Sequence, residues 1–138
     1  MTTITPYLSL NGQCEAAFKF YEQHLGGKIE AMMTFGETPA CGHVSADHQK
    51  KIMHACIALG EQRLMGSDGM PEEAHNGVKG CSVALGVDSI AEAERIFAAL
   101  SQNGTVEMAL DKTFWAVRFG AVTDQFGVPW LINCEKDG

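Results

Sequence analysis

The chain has 138 residues, 46% of them hydrophobic and 20% charged, which suits one compact globular domain. Its net charge of −7 and pI near 5.1 exclude a general affinity for nucleic acid or anionic membrane. No apolar run is long enough to span a bilayer, residues 1–6 lack a basic-then-apolar leader pattern, and the cysteines at 14, 41, 56, 81 and 134 form no CxxC; this reads as a cytoplasmic protein with reduced thiols.

In chain order, Thr5–Leu10 reads as a strand ended by Asn11-Gly12. Apolar residues at 14, 17, 18, 21 and 25 then share one helical face, and Gly26-Gly27 stops that helix. Ile29–Phe35, Met53–Leu59 and Arg63–Ser67 read as strands, with Gly60-Glu61-Gln62 turning between the last two. Residues 69–79, with Pro71 and Asn76-Gly77, read as a linker. Cys81–Val87 is the next strand, and Ser89-Ile-Ala-Glu92 has the capping-box pattern that opens a second helix. Strands follow at Thr105–Leu110, Thr113–Phe119 and Pro129–Cys134, with Asp124–Gly127 as a turn.

The two halves repeat one another. A shift of 77 places Leu8, Leu10, Glu15, Ala16, Phe20 and Gly27 on Leu85, Val87, Glu92, Ala93, Phe97 and Gly104. A shift of 67 places Gly60, Leu64, Met65 and Asp68 on Gly127, Leu131, Ile132 and Glu135. Each half is β-α-β-β-β, too small to bury a good core alone. The expected fold is therefore α+β, two tandem modules in one domain 1–138: module 1 (4–68), linker (69–79) and module 2 (80–135).

Phe20-Tyr21-Glu22-Gln23-His24-Leu25-Gly26 and Asp124-Gln125-Phe126-Gly127 resemble the helix ending and turn of the vicinal-oxygen-chelate superfamily of glyoxalases, extradiol dioxygenases and bleomycin-resistance proteins. Pro6-Tyr7-Leu8, His54-Ala55-Cys56, Leu64–Asp68, Phe114-Trp115 and Phe119–Trp130 are similar to signatures of its PhnB-like branch. Members of that branch often carry a demethylubiquinone-methyltransferase label. No Gly-rich strand-to-helix turn of the nucleotide-binding kind supports that activity here. The resemblance implies curved mixed sheets with helices on the convex face and ligand in the concavity. It also implies pairing of modules across a two-fold homodimer.

Alternation along the strands assigns the faces. Leu8, Leu10, Met53, Ala55, Ile57, Leu59, Val83, Leu85, Val87, Trp130, Ile132 and Cys134 are expected beneath the helices. The opposite parity is expected to wall the cavity: Thr5, Tyr7 and Ser9; His54, Cys56 and Ala58; Leu64, Gly66 and Asp68; Ser82, Ala84 and Gly86; Phe114, Ala116 and Arg118; Leu131, Asn133 and Glu135. Ligand-binding candidates are thus Tyr7, Ser9, His54, Cys56, Asp68, Phe114, Arg118 and Asn133, with a shared cavity joining them.

Metal-dependent members take ligands at positions that fall here on Thr5, Leu64, Ser82 and Leu131. None of these residue types suits Zn²⁺, Ni²⁺ or Fe²⁺, so no metal or other cofactor is expected. His54 reads either as the catalytic base or as a hydrogen-bonded strand histidine. Arg118 reads either as an anion clamp or as an ion-pair partner of Glu107. Asp68 and Glu135 read as a carboxylate pair or as solvated strand ends. Cys41, His43 and His48 read as solvated loop residues, not a metal cluster. Two functions follow. One is an enzyme acting on a small polar or anionic metabolite without the usual metal. The other is a non-catalytic protein that sequesters a small molecule, as bleomycin-binding relatives do. No nucleic-acid or membrane partner is expected.

Overall fold

The computed structural model describes residues 2–39, 42, 44–69 and 77–138. Cys41 and His43 lie outside the described residues, as does most of the expected linker. The chain divides into two units, Met1–Asn76 and Gly77–Gly138. Each has the same element order. The first holds β1 (Tyr7–Ser9), α1 (Cys14–Leu25), β2 (Lys28–Thr34), β3 (Ile52–Leu59) and β4 (Gln62–Ser67). The second holds β5 (Val83–Gly86), α2 (Ile90–Ser101), β6 (Thr105–Asp111), β7 (Arg118–Thr123) and β8 (Pro129–Cys134).

The strand orders are β1-β4-β3-β2 and β5-β8-β7-β6. In each sheet the first strand runs parallel to the last, and the other pairings are antiparallel. The expected α+β fold of two tandem β-α-β-β-β modules is what the chain adopts. No helix among the described residues is long and apolar enough to cross a membrane.

Helix α1 buries Cys14, Ala17, Phe18, Tyr21 and Leu25, the apolar stripe read from the sequence. It ends at Gly26, whose φ of 79° is the left-handed cap that glycine adopts without strain. Helix α2 buries Ala93, Ile96, Ala99 and Leu100. Its N-cap Ser89 accepts a hydrogen bond from Glu92 N–H at 3.1 Å, while the Glu92 carboxylate pairs with Arg95. The repeated glycines Gly27 and Gly104 share one packing reason. A Cβ would lie 2.7 Å from the Ala58 carbonyl at the first and 2.5 Å from the Thr123 carbonyl at the second.

The seventh strand departs from expectation. It runs from Arg118 to Thr123, not from Thr113 to Phe119. Residues 113–116 form a turn in which Thr113 Oγ1 accepts from the Trp115 and Ala116 amides at 3.3 and 3.1 Å. A hydroxyl that bonds nearby amides offers the backbone an alternative to the ladder, and here it wins. The strand itself contains Gly120, because the Phe97 ring occupies the space where a Cβ would sit (2.7 Å from Cε2).

Candidate functional site

Register shows which side chains share a face. In the first sheet Leu8, Gly66 and Ala55 lie in one row, and Leu64 pairs with Ile57. This face lies under α1: Ala55 and Ile57 are fully buried, and a Cβ on Gly66 would meet the Phe18 ring at 3.0 Å. Tyr7, Met65, Cys56 and Ala31 form the row on the opposite face, with Ser9 paired to Ser67 and Met33 to His54. In the second sheet Leu85, Ile132 and Gly120 lie under α2, whereas Gly86, Asn133 and Phe119 form a row on the other face.

Tyr7, Ser9, His54, Cys56, Ala84, Gly86, Leu131 and Asn133 therefore lie on the helix-free faces, as alternation predicts. Leu64, Gly66 and Asp68 do not; they point under α1. The error is a slip of one residue between the repeats. Structurally, Leu8 corresponds to Leu85 and Gly66 to Ile132, so the last strands are related by 66 positions, not 67. The turns explain it. Two residues, Gly60 and Glu61, join the paired Leu59 and Gln62, whereas three separate Asp124 from Val128, whose carbonyl accepts the Asp124 N–H at 2.9 Å. Gly60 opens its turn and Gly127 closes the other, so matching the glycines shifts every partner to the wrong face.

Arg118 is also corrected. Its register partner is the fully buried Cys134, which puts it on the α2 side, and its Nη1 donates to the Val117 carbonyl at 2.6 Å. Phe119 takes the place opposite Asn133. Phe114 lies in the turn before β7, 97% exposed, packed edge-on to Trp115. Ala116 is buried, Glu135 lies exposed just past β8, and Ser82 precedes β5.

Asp68 is a buried capping residue for a helix far away in sequence. Its Oδ1 accepts from the Gly12 and Cys14 amides at 2.8 and 2.9 Å, and its Oδ2 from the Ile52 amide at 2.7 Å. These include donors that the start of α1 leaves unmet, since its own N-cap, Gln13, makes no side-chain cap. The carboxylate is thus committed to backbone, and the reading of Asp68 as a solvated strand end fails. His48 is likewise buried, with Nε2 2.8 Å from the Gly69 carbonyl and its ring against Phe35, so the solvated-loop reading fails for it. Among the described residues no three His, Cys, Asp or Glu side chains converge.

On the helix-free face of the first unit, Tyr7 Oη lies 3.1 Å from His54 Nδ1, and the two rings stack at 5.7 Å and 27°. Partial burial pushes the Tyr7 phenol above its usual range; a hydrogen bond with Ser67 opposes the shift and the nearby Cys14 thiol adds to it. Either group can donate in this bond, according to the tautomer of the imidazole. Ser67 Oγ also accepts the Gly69 amide at 3.1 Å, so Ser67, Tyr7 and His54 form a run of hydrogen-bonding groups. Ser67 was missed because of the one-residue slip. Burial, reinforced by Glu30 and opposed by Arg63, raises the Cys56 thiol and keeps it neutral. In the second unit, Asn133 Oδ1 is buried with no hydrogen-bond partner among the described residues.

The positions that bear metal in metal-dependent relatives hold Thr5, Ser82 and Leu131, with Met65 in place of Leu64 once the register is corrected. This donor set does not fit a divalent metal, because it offers no imidazole, thiolate or carboxylate.

The profile of the glyoxalase/bleomycin resistance protein/dioxygenase superfamily matches residues 3–132. The chain is 37% identical to protein YjdN of Escherichia coli K12, covering 96% of this chain and 95% of that protein. Among solved structures, protein PA1353 from Pseudomonas aeruginosa is 52% identical with a TM-score of 0.92, covering 99% of this chain and all of the other. A PhnB protein from Bacillus cereus, described as a putative 3-demethylubiquinone-9 3-methyltransferase, shares the fold at 22% identity and a TM-score of 0.80, covering 96% of this chain and 99% of the other. The chain belongs to the glyoxalase/bleomycin resistance protein/dioxygenase superfamily and is YjdN-like within it.

Proposed function

We propose that the protein binds a small polar metabolite on the helix-free face of its first unit and acts on it by proton transfer, without the usual divalent metal. The observation that supports this is the Tyr7–His54 hydrogen bond beside Ser67. The phenol hydroxyl and the paired imidazole are groups that can pass a proton to or from a substrate oxygen placed beside them. Ser9, beside Ser67 in register, adds a further hydroxyl to that face. The donor set at the metal positions supports the metal-free reading.

A metabolite screen by thermal shift, followed by turnover assays on the hits, tests the proposal. Turnover of such a hit should depend on His54. His54→Gln should lower it about 100-fold and Tyr7→Phe less. Full activity in His54→Gln would end the acid–base reading.

The near-parallel Tyr7 and His54 rings also favour a second reading, a platform on which a planar ligand stacks and is sequestered. Binding that saturates without turnover, and that weakens in Tyr7→Ala, selects it. We place the protein in the cytoplasm as a two-fold homodimer. The free thiols of Cys14, Cys56, Cys81 and Cys134 support the first assignment, and a repeat of modules suited to pairing with near-copies supports the second. A mass of 14.9 kDa by light scattering would remove the dimer.

A further inference from the structure

Ser67 stands at the head of a hydrogen-bonded run on the helix-free face of the first unit. The Gly69 amide, which can only donate, gives its proton to Ser67 Oγ at 3.1 Å. Gly69 is held from its other side as well, since its carbonyl, which can only accept, lies 2.8 Å from Nε2 of the buried His48. Ser67 bonds in turn with the Tyr7 phenol, and Tyr7 Oη lies 3.1 Å from His54 Nδ1. Two directions are open to the protons of this run.

In one, Ser67 donates to Tyr7 and Tyr7 donates to Nδ1, so every proton has an acceptor. In the other, Nδ1–H donates to Tyr7, Tyr7 donates to Ser67, and the Ser67 oxygen accepts twice. The proton of the half-buried Ser67 hydroxyl then has no acceptor among the described residues, and an unmatched donor costs stability. The first direction is therefore favoured, and its consequence falls on His54. With Nδ1 accepting from Tyr7, the neutral imidazole carries its proton on Nε2. Nε2 has no partner among the described residues. Among these residues Asn133 Oδ1 is the one side-chain nitrogen or oxygen both buried and unpartnered, so Nε2 is open to solvent.

We propose that Ser67 is a positioning residue that fixes His54 as an Nε2–H donor, and that the ligand of this face presents an acceptor oxygen, such as a carbonyl, to that donor. The ligand class rests on the reading that a metabolite occupies this face, but the tautomer does not depend on turnover.

Long-range ¹H–¹⁵N spectra of the full-length ¹⁵N-labelled chain, in buffer alkaline enough to keep imidazoles neutral, read the tautomer, and His54→Gln identifies the His54 signals. Wild-type His54 should show a protonated Nε2 and a bare Nδ1. In Ser67→Ala the two ¹⁵N shifts should move towards each other as the tautomers mix, whereas Ser67→Thr, which keeps the hydroxyl, should retain the wild-type pattern. Dimethyl sulfoxide, an acceptor without a donor, should shift the Nε2 resonance saturably, and methylammonium, a donor without an acceptor, should not. Affinity for dimethyl sulfoxide should fall about twofold in Ser67→Ala, as the donor tautomer falls to about half of the molecules. A proton on Nδ1 in the wild type, which decides the matter even if Ser67→Ala does not fold, would overturn the proposal. A Ser67→Ala spectrum like that of the wild type would remove the role of Ser67. Saturable binding of methylammonium in place of dimethyl sulfoxide, or of neither, would overturn the ligand class. If these results hold and no metabolite is turned over, the proton-transfer reading alone fails.

Discussion

The ends of β4 and β8 occupy the same place in two copies of one fold, and the chain uses them in opposite ways. Asp68 closes the first end: one carboxylate holds the start of α1 and the edge of β3 together. At the second end stands the buried Cys134, and α2 is capped from two other directions, by Ser89 within its own turn and by Asp137 from the segment after β8. A helix start needs its amides satisfied, but the donor of that service need not be local. In the second copy Ser89 and Asp137 take over the cap, and Cys134, which corresponds to Asp68 in register, is buried and donates to the Lys136 carbonyl instead. Duplication thus leaves one copy free to move a structural contact onto other residues.

The largest effect expected from breaking this comparison is at Asp68. Asp68→Ala removes three hydrogen bonds to a charged acceptor and leaves the buried Cys14 and Ile52 amides unmatched. The loss should be about 3 kcal/mol or more, read as a lowered urea midpoint. Asp68→Asn sharpens the test. Its NH₂ would confront an amide donor on one side, so the amide should recover only part of the loss. If Asp68→Asn unfolds at the wild-type midpoint, the charge and both acceptor oxygens are irrelevant, and the asymmetry between the copies has another origin.

A smaller effect comes from Cys14, whose amide Asp68 binds. Burial, the Asp68 carboxylate and Glu15, in that order, push its thiol from an ordinary 9.0 up to about 12. The folded protein therefore keeps this proton at pH values where the unfolded chain releases it. Below pH 9 both states hold the proton and nothing changes; as pH rises from roughly 9 towards 12, stability falls. Cys14→Ala should flatten the part of the decline due to this thiol, seen as a smaller gap between unfolding midpoints at pH 8 and pH 11. An unchanged gap would show that Cys14 titrates normally in the fold. Its counterpart in the shift of 77, Ala91, is exposed and cannot titrate, so that position of the second copy contributes no such dependence.

Much of this was legible in the sequence. The helices were, because apolar spacing, the Ser89 cap and Gly26 all point the same way. The repeat was, and with it the topology and most of the face assignments. What failed did so for local reasons. Thr113–Phe119 has a strand-like composition, and Arg118–Thr123 carries Gly120, a poor strand former; the Phe97 ring that requires this glycine is a tertiary fact. The face of β4 failed because one turn is a residue longer than the other, and a slip of one residue inverts a strand. That slip hid Ser67 and placed Asp68 in the cavity. The role of Asp68 could not be read locally, since it caps amides 54 and 56 positions earlier in the chain. His54 and Tyr7 came from alternation alone, but their contact spans 47 positions and needed coordinates.

The smallest expected effect tests the other side of the comparison. Asp137 contributes one hydrogen bond, 3.0 Å, to the Ile90 amide at an exposed helix start, and water can replace it. Asp137→Ala should therefore cost at most about 1 kcal/mol, far less than Asp68→Ala. Ser89→Ala should cost a similar amount, because Ser89 satisfies the Glu92 amide while Asp137 satisfies Ile90. The two bind different donors of one helix turn, so the double variant should lose about the sum of the single effects, measured by urea unfolding. A double variant as damaging as Asp68→Ala would mean that α2 depends on its cap as α1 does. The caps of α2 would then be as structural as Asp68 is in the first copy, and the contrast between the two copies would fail.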